Sequence, residues 1–169
     1  EQATGQSLAA YAAEKIVSPA GFAGGMFWMQ DLTGGNIGGC CLSLRLSDYA
    51  RMGQFALEGG DGVVPEGWFA KAGSPLVDFG PQAPGFGYGY QWWLPSGSEG
   101  RLPGSSHEDD YNAGGIYGQF IYVNPQAGIV IAKNAADREF TQPQSNGQHS
   151  VNMNVDIFRS LAEQLAVGS

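Results

Sequence analysis

Apolar and polar positions follow two different periods along this chain, and the changes between them mark out its elements. Residues 7–17 put Leu8, Tyr11, Ala12 and Ile16 on one helical face, with Ser7 as N-cap and Pro19 and Gly21 as the stop. A second helical period starts at Ser47, read as an N-cap, and runs through Glu58. It turns Tyr49, Met52 and Ala56 inward and ends on Gly59 at the C′ position. Pro65, at the first helical position, opens a short helix through about Ala72. The last helix begins near Val151, where Val151, Val155, Phe158, Leu161 and Leu165 recur at helical spacing.

Strand patterns fill the space between. Residues 20–47 are glycine-rich and predict a long structured loop with a short strand around Met26–Met29. Tyr88–Leu94 (YGYQWWL) reads as one aromatic strand. Phe120–Val123 and Gly128–Ala132 read as a hairpin closed by Asn124-Pro125-Gln126-Ala127. Loops are expected at 73–86, Ser96–Asp110 and Asp137–Gln148. Helices and loops, then three consecutive strands, then a helix make an α+β arrangement, with an antiparallel sheet and a C-terminal helix packed on it. No repeat or low-complexity linker divides residues 1–169, so they are expected to form one domain piece.

Composition narrows the function classes. A net charge of −8 leaves no basic patch to neutralise phosphates, so no nucleic-acid partner is expected. No apolar run reaches the ~18–20 residues of a membrane span. A soluble protein is expected, with cytoplasm and periplasm of a bacterial type of cell both left open. The opening Glu1-Gln2-Ala3-Thr4 has no Met, no basic start and no apolar segment, and reads as cut from something longer. Cys40 and Cys41 are adjacent and cannot staple distant parts of the fold; they read as two small, partly buried thiols, with a vicinal disulfide as the strained alternative.

Most catalytic signatures are missing. The residues three positions before Lys15, Lys71 and Lys133 are Ala12, Trp68 and Val130, so no Ser-x-x-Lys nucleophile occurs. There is no Gly-x-Ser-x-Gly elbow, phosphate-cradling loop or paired-His zinc helix, and no metal site is expected. Ser105–Asp110 (SSHEDD) reads as a solvated acidic loop and His149 as a surface residue. Tyr122-Val123-Asn124 matches Tyr-x-Asn only formally, as the end of a strand entering a turn.

Gly114, Gly115 and Gly118 pose a question, because each glycine weakens a strand by roughly 0.5–1 kcal/mol relative to alanine. Bare backbone there suits a close approach, such as a substrate lying alongside or an N–H aimed at a developing oxyanion.

Three segments, read in order, resemble the C-terminal half of the serine β-lactamase-like hydrolases, which include class C β-lactamases, related esterases and 6-aminohexanoate-dimer hydrolases. They are TGQSLAAYAAEKIVSPAGF (Thr4–Phe22), GGCCLSLRLSDYARMGQFALEGG (Gly38–Gly60) with VVPEGWFAKA after it, and GYGYQWWLP (Gly87–Pro95) leading to AGGIYGQFIYVNPQAGIVIAKN. The Gly-Ile-Tyr-Gly-Gln-Phe form is closest in style to the 6-aminohexanoate-dimer hydrolases.

The resemblance implies a β-lactamase/transpeptidase-like fold and cofactor-free cleavage of small ester or amide substrates through an acyl-serine. The family's third motif, Lys-Thr-Gly or His-Thr-Gly, aligns best with Ala113-Gly114-Gly115-Ile116, and a register starting at Asn112 stays open. In the first register Ile116 supplies the oxyanion N–H, and Gly114 and Gly115 give access. Tyr117 and Gln119 flank the pocket or brace the strand, and Trp28, whose other reading is a core residue, joins the Gly38–Cys41 loop as a further pocket candidate. Ala113 in place of Lys or His removes the anchor for a β-lactam carboxylate. The nucleophile, its lysine and the tyrosine would lie before Glu1, in the same chain or a partner. The alternative is a non-catalytic binding module using Tyr88–Trp93 as an aromatic platform.

Overall fold

The computed structural model describes residues 2–74, 76–78, 86–97, 100, 102–140 and 150–167. His149 and most of the polar stretch at 137–148 lie outside them. A mixed helix and antiparallel-sheet architecture is present, as the pattern predicts. Helix α1 (Leu8–Ala12) is capped by Ser7, whose Oγ accepts the Ala10 N–H at 3.1 Å, and it continues as a π-helical turn over Ala13–Val17. None of its residues is buried, so the expected apolar face finds only partial cover. The glycine-rich loop carries a two-stranded ribbon, β1 (Phe27–Trp28) with β2 (Leu42–Ser43).

Helix α2 (Leu46–Leu57) begins two residues earlier than expected. Arg45 is its N-cap, and Ser47 sits inside the first turn. Its end is as predicted. Gly59 (φ 80°) donates to the Ala56 carbonyl at 3.1 Å and Gly60 (φ 86°) to Phe55 at 2.8 Å, the Schellman pattern that only residues tolerant of a left-handed conformation close. Asp48 in α2 is fully buried and accepts the N–H groups of Ala23 and Gly24, both at 2.9 Å, which pins the glycine-rich loop to the helix. Those bonds, the Ala23 one foremost, hold its carboxyl below the usual range. Helix α3 (Trp68–Ala72) starts later than Pro65, because Gly67 (φ 73°) takes the cap and Pro65 instead closes the preceding turn.

Six strands form an antiparallel meander in sequence order: β3 (Val77–Asp78), β4 (Gly87–Gly89), β5 (Trp92–Leu94), β6 (Tyr111–Gly114), β7 (Phe120–Asn124) and β8 (Ile129–Lys133). The single aromatic strand expected at Tyr88–Leu94 is two strands. Tyr90 (φ 42°) and Gln91 (φ 73°) make a two-residue hairpin turn between them. Two successive positive φ values are what such turns need, and no Asn-Gly or Gly marked the site. The β7–β8 hairpin is as predicted within a residue, with Asn124 Oδ1 holding the Ala127 N–H at 2.9 Å.

Both faces of the sheet are covered. On one face, Tyr111, Val123, Trp92 and Leu94 pack with Phe55, Ala56, Phe69 and Ala72 of α2 and α3. On the other, Phe120 and Tyr122 pack with Phe140 and with Phe158 and Ala162 of helix α4 (Ser150–Val167). Burial on both sides explains why β7 and β8 read as near-continuous apolar runs.

Close packing of α2 depends on Gly53, where a Cβ would run into Val130 Cγ1 and approach Ile121 Cγ2 to 2.9 Å. In an exposed helix, Gly→Ala gains about 1 kcal/mol of propensity. Here overpacking costs about 1–3 kcal/mol. Gly53→Ala is therefore expected to lower stability by about 1 kcal/mol in urea titration, and a gain would show that α2 does not sit this close to the sheet.

The SSHEDD segment is not a solvated loop. Asp110 is fully buried and His107 nearly so, because Asp110 pairs with Arg159 from α4, a charge 49 residues away that local pattern cannot reveal.

Candidate active site

Residues 115–119 join β6 to β7, and their hydrogen bonds make the turn rigid. The Gly115 N–H donates to the Gln119 carbonyl at 2.8 Å, and the Gly118 N–H to Gly115 at 3.0 Å. The Tyr117 N–H donates to Gln119 Oε1 at 3.1 Å, and the Tyr117 carbonyl accepts from Asp137 N–H. Lys133 Nζ holds the Gly118 carbonyl at 3.2 Å. Among the described residues the Ile116 N–H has no acceptor, and the Ile116 side chain is 66 % exposed. An exposed N–H without a protein acceptor is open to solvent or to an anion.

The glycines divide into separate cases. At Gly115 a Cβ would strike Gln119 Oε1 and lie 3.1 Å from its Cδ. It is therefore the bracing amide of Gln119, from the turn itself, that occupies the space beside Gly115. Gly118 has φ 82° and lies against Phe140. At Gly114 the nearest atoms are Asn112 Oδ1 at 3.3 Å and Trp93 Cδ1 at 3.6 Å, so this position is the more open one.

Around the turn lies a cleft of about 650 Å³, within the range of small-molecule sites. It brings together the residues that the family resemblance places at the site. Gly114, Gly115, Ile116, Tyr117 and Gln119 form one wall, and Trp28 with the Gly38–Cys41 loop forms the other. Trp28 is half-buried and fixed, since its indole N–H donates to the carbonyls of Ile37 at 2.9 Å and Cys40 at 3.0 Å. Ala113 also lines the cleft, where the family motif would place Lys or His.

Two further wall residues escaped sequence reasoning. Tyr49 of α2 donates to the Leu42 carbonyl at 2.9 Å, and burial pushes its hydroxyl pKa up. Lys133, at the end of the apolar β8 run, enters because β8 pairs it with Phe120. Its position follows from strand register, which no local motif announces.

Cys40 and Cys41 are joined as a vicinal disulfide, not the two partly buried thiols expected, and both are exposed on the cleft wall. Cys41 has φ 73°, so the loop turns sharply between the ribbon strands. The aromatic platform is also revised. Trp92 is only 7 % exposed, with edge contacts to Phe69 and Tyr111, and is core. Trp93 points to the opposite face, stacked on Phe86.

No family model matches the sequence. No curated protein matches it. Among solved structures, it is similar to a Bacillus anthracis protein provisionally named a 6-aminohexanoate-dimer hydrolase, with a TM-score of 0.71 and 27% identity over 96% of this chain. The chain spans 39% of that protein's length. Among the described residues no helix is long and apolar enough to cross a membrane. This likeness supports at most a relationship to the β-lactamase-like hydrolases.

Proposed function

We propose that these residues form the oxyanion-binding and substrate-flanking part of a serine hydrolase that cleaves small ester or amide bonds, 6-aminohexanoate oligomers and carboxylic esters among them. The observation that carries the reading is the unpaired Ile116 N–H on the wall of the cleft.

A serine from polypeptide outside these residues attacks the substrate carbonyl, and the new C–O bond puts negative charge on the carbonyl oxygen. The Ile116 N–H and the nucleophile's own N–H accommodate that charge. Collapse expels the amine or alcohol, which takes the proton released by the serine, and water then hydrolyses the acyl-enzyme. Gln119 keeps Ile116 in place through the Tyr117 N–H, and Trp28 and Tyr117 bound the space for the substrate. With Ala113 at the position of a cationic anchor, uncharged or differently anchored esters and amides suit this wall better than β-lactam carboxylates.

Two open surfaces support a partner that carries the nucleophile, in the same chain or a second one. Among the described residues, strand β8 (IVIAK) pairs only with β7, and no strand lies on its other edge. On α4, Met153, Ile157, Leu161 and Leu165 follow one another every four residues, between 40% and 56% exposed. An apolar stripe beside an open strand edge suits burial against the remainder of a larger hydrolase.

Fluorophosphonate labelling of the natural protein, followed by peptide mapping, tests the reading. The label is expected on a serine outside these residues, in polypeptide joined to them or co-purifying with them. Natural material that consists of this chain alone and takes no label would end it.

A further inference from the structure

A second cavity, of about 510 Å³, lies at the opposite end of β6 from the Ile116 turn, and it shares no lining residue with the cleft. Leu57 of α2, Phe69 of α3 and Pro125 of the β7–β8 turn give it apolar walls. Its polar side chains are Asp109, Tyr111 and Ser74. Tyr111 is only 3 % exposed, yet its hydroxyl makes no hydrogen bond among the described residues and is not sealed from the cavity. Burial pushes its pKa up, so it stays a neutral hydroxyl. A hydroxyl on so buried a side chain calls for a partner. Asp109 is exposed at the rim, with no hydrogen bond or ion pair among the described residues. Ser74 Oγ spends its proton on the Ala70 carbonyl at 3.1 Å, which leaves it as an acceptor.

We propose that this cavity binds a small primary ammonium carrying an apolar group, with the ammonium donating to the Asp109 carboxylate and to Tyr111 Oη. The apolar group lies against Phe69, Leu57 and Pro125. Charge sets the ligand class. No Lys, Arg or His is among the described residues that line the cavity, and Lys71 of α3 is exposed outside it. The C-terminal end of α2, where the helix dipole favours a cation, supplies Leu57 and Gly59 to the wall. An anion would meet Asp109 and that helix end without a counter-charge. The volume fits a ligand of one ring and a short chain.

Calorimetric titration of the natural-length protein at low ionic strength, with 2-phenylethylamine and with 2-phenylethanol, tests this. The alcohol keeps the ring and chain and replaces the ammonium by a neutral hydroxyl. The amine is expected to bind about 10-fold more tightly, the combined worth of an exposed ion pair and a hydrogen bond from a charged donor. Tyr111→Phe should weaken the amine roughly 3- to 10-fold with an unchanged melting temperature, since the hydroxyl it removes bonds nothing in the free protein. Asp109→Asn should remove most of the preference for amine over alcohol, as should added salt in the wild type. Equal affinities for the two compounds would overturn the proposal. So would unchanged amine binding in both variants, which would put the amine elsewhere, the cleft included. No binding of either compound, or a lowered melting temperature in Tyr111→Phe, would show that the native protein itself fills the space or bonds the hydroxyl, and would equally end it. Neither residue lines the cleft, so fluorophosphonate labelling should proceed unchanged in both variants, and the two readings stand or fall separately.

Discussion

Arg159→Ala is expected to cost about 3–5 kcal/mol of stability, a large share of the about 5–15 kcal/mol available to a typical domain. Arg159 is 6 % exposed, and its guanidinium is saturated with acceptors. Nε and Nη2 meet the two Asp110 oxygens at 2.8 and 3.1 Å. Nη1 holds the Ser96 and Gly100 carbonyls at 2.9 and 3.2 Å, and Nη2 holds Pro95 at 3.1 Å. Alanine leaves the fully buried Asp110 carboxylate with the Tyr122 hydroxyl as its other bonded partner, and strips three carbonyls of their donor. The penalty comes chiefly from that stranded charge, so Asp110→Leu combined with Arg159→Leu should recover part of it. Urea unfolding of the natural-length protein checks this: the midpoint should fall with little change in slope. A loss below about 1 kcal/mol would mean that the pair is solvated in the native state.

On the proposed function, Gly115→Val in the natural-length protein is expected to reduce acylation by 10²–10³-fold, corresponding to about 2.7–4 kcal/mol of transition-state stabilisation. The mechanism is indirect. A valine side chain at 115 occupies the place of the Gln119 amide, which releases the Tyr117 N–H and lets Ile116 turn away from the oxyanion position. The effect should fall on kcat, since the N–H is used most strongly once charge has developed. Gln119→Ala alone should give a smaller loss, because the Gly115 N–H bond to the 119 carbonyl survives. Turnover of a short activated ester within threefold of wild type in Gly115→Val would remove Ile116 from the mechanism.

These two predictions draw on different layers of information. Glycine crowding around 114–118 read as a strand entrance open to close approach, and it proves to be the β6–β7 turn, with Ile116 put there by motif order. The role of Gln119 as the group that fills the space beside Gly115 needed coordinates. The Arg159–Asp110 pair was invisible beforehand: Asp110 read as one of three consecutive acids in a polar loop, and the helical spacing of α4 does not single out Arg159. Which acid is buried depends on the placement of α4 over the sheet, a relation between segments 49 residues apart.

The sequence by itself determined the elements whose signals are local. Helical spacing located α4, the Gly59 stop ended α2, and two apolar runs around Asn124–Ala127 made the β7–β8 hairpin. Each of these requires contacts only a few residues apart, so periodicity and turn chemistry suffice. Tertiary structure decided the split of the aromatic run at Tyr90–Gln91, the burial of Trp92 on one face and Trp93 on the other, and the meeting of Trp28 with Ile116 across one cleft. Those features arise from strand register and from segments brought together by burial, and neither is encoded within a window of neighbouring residues.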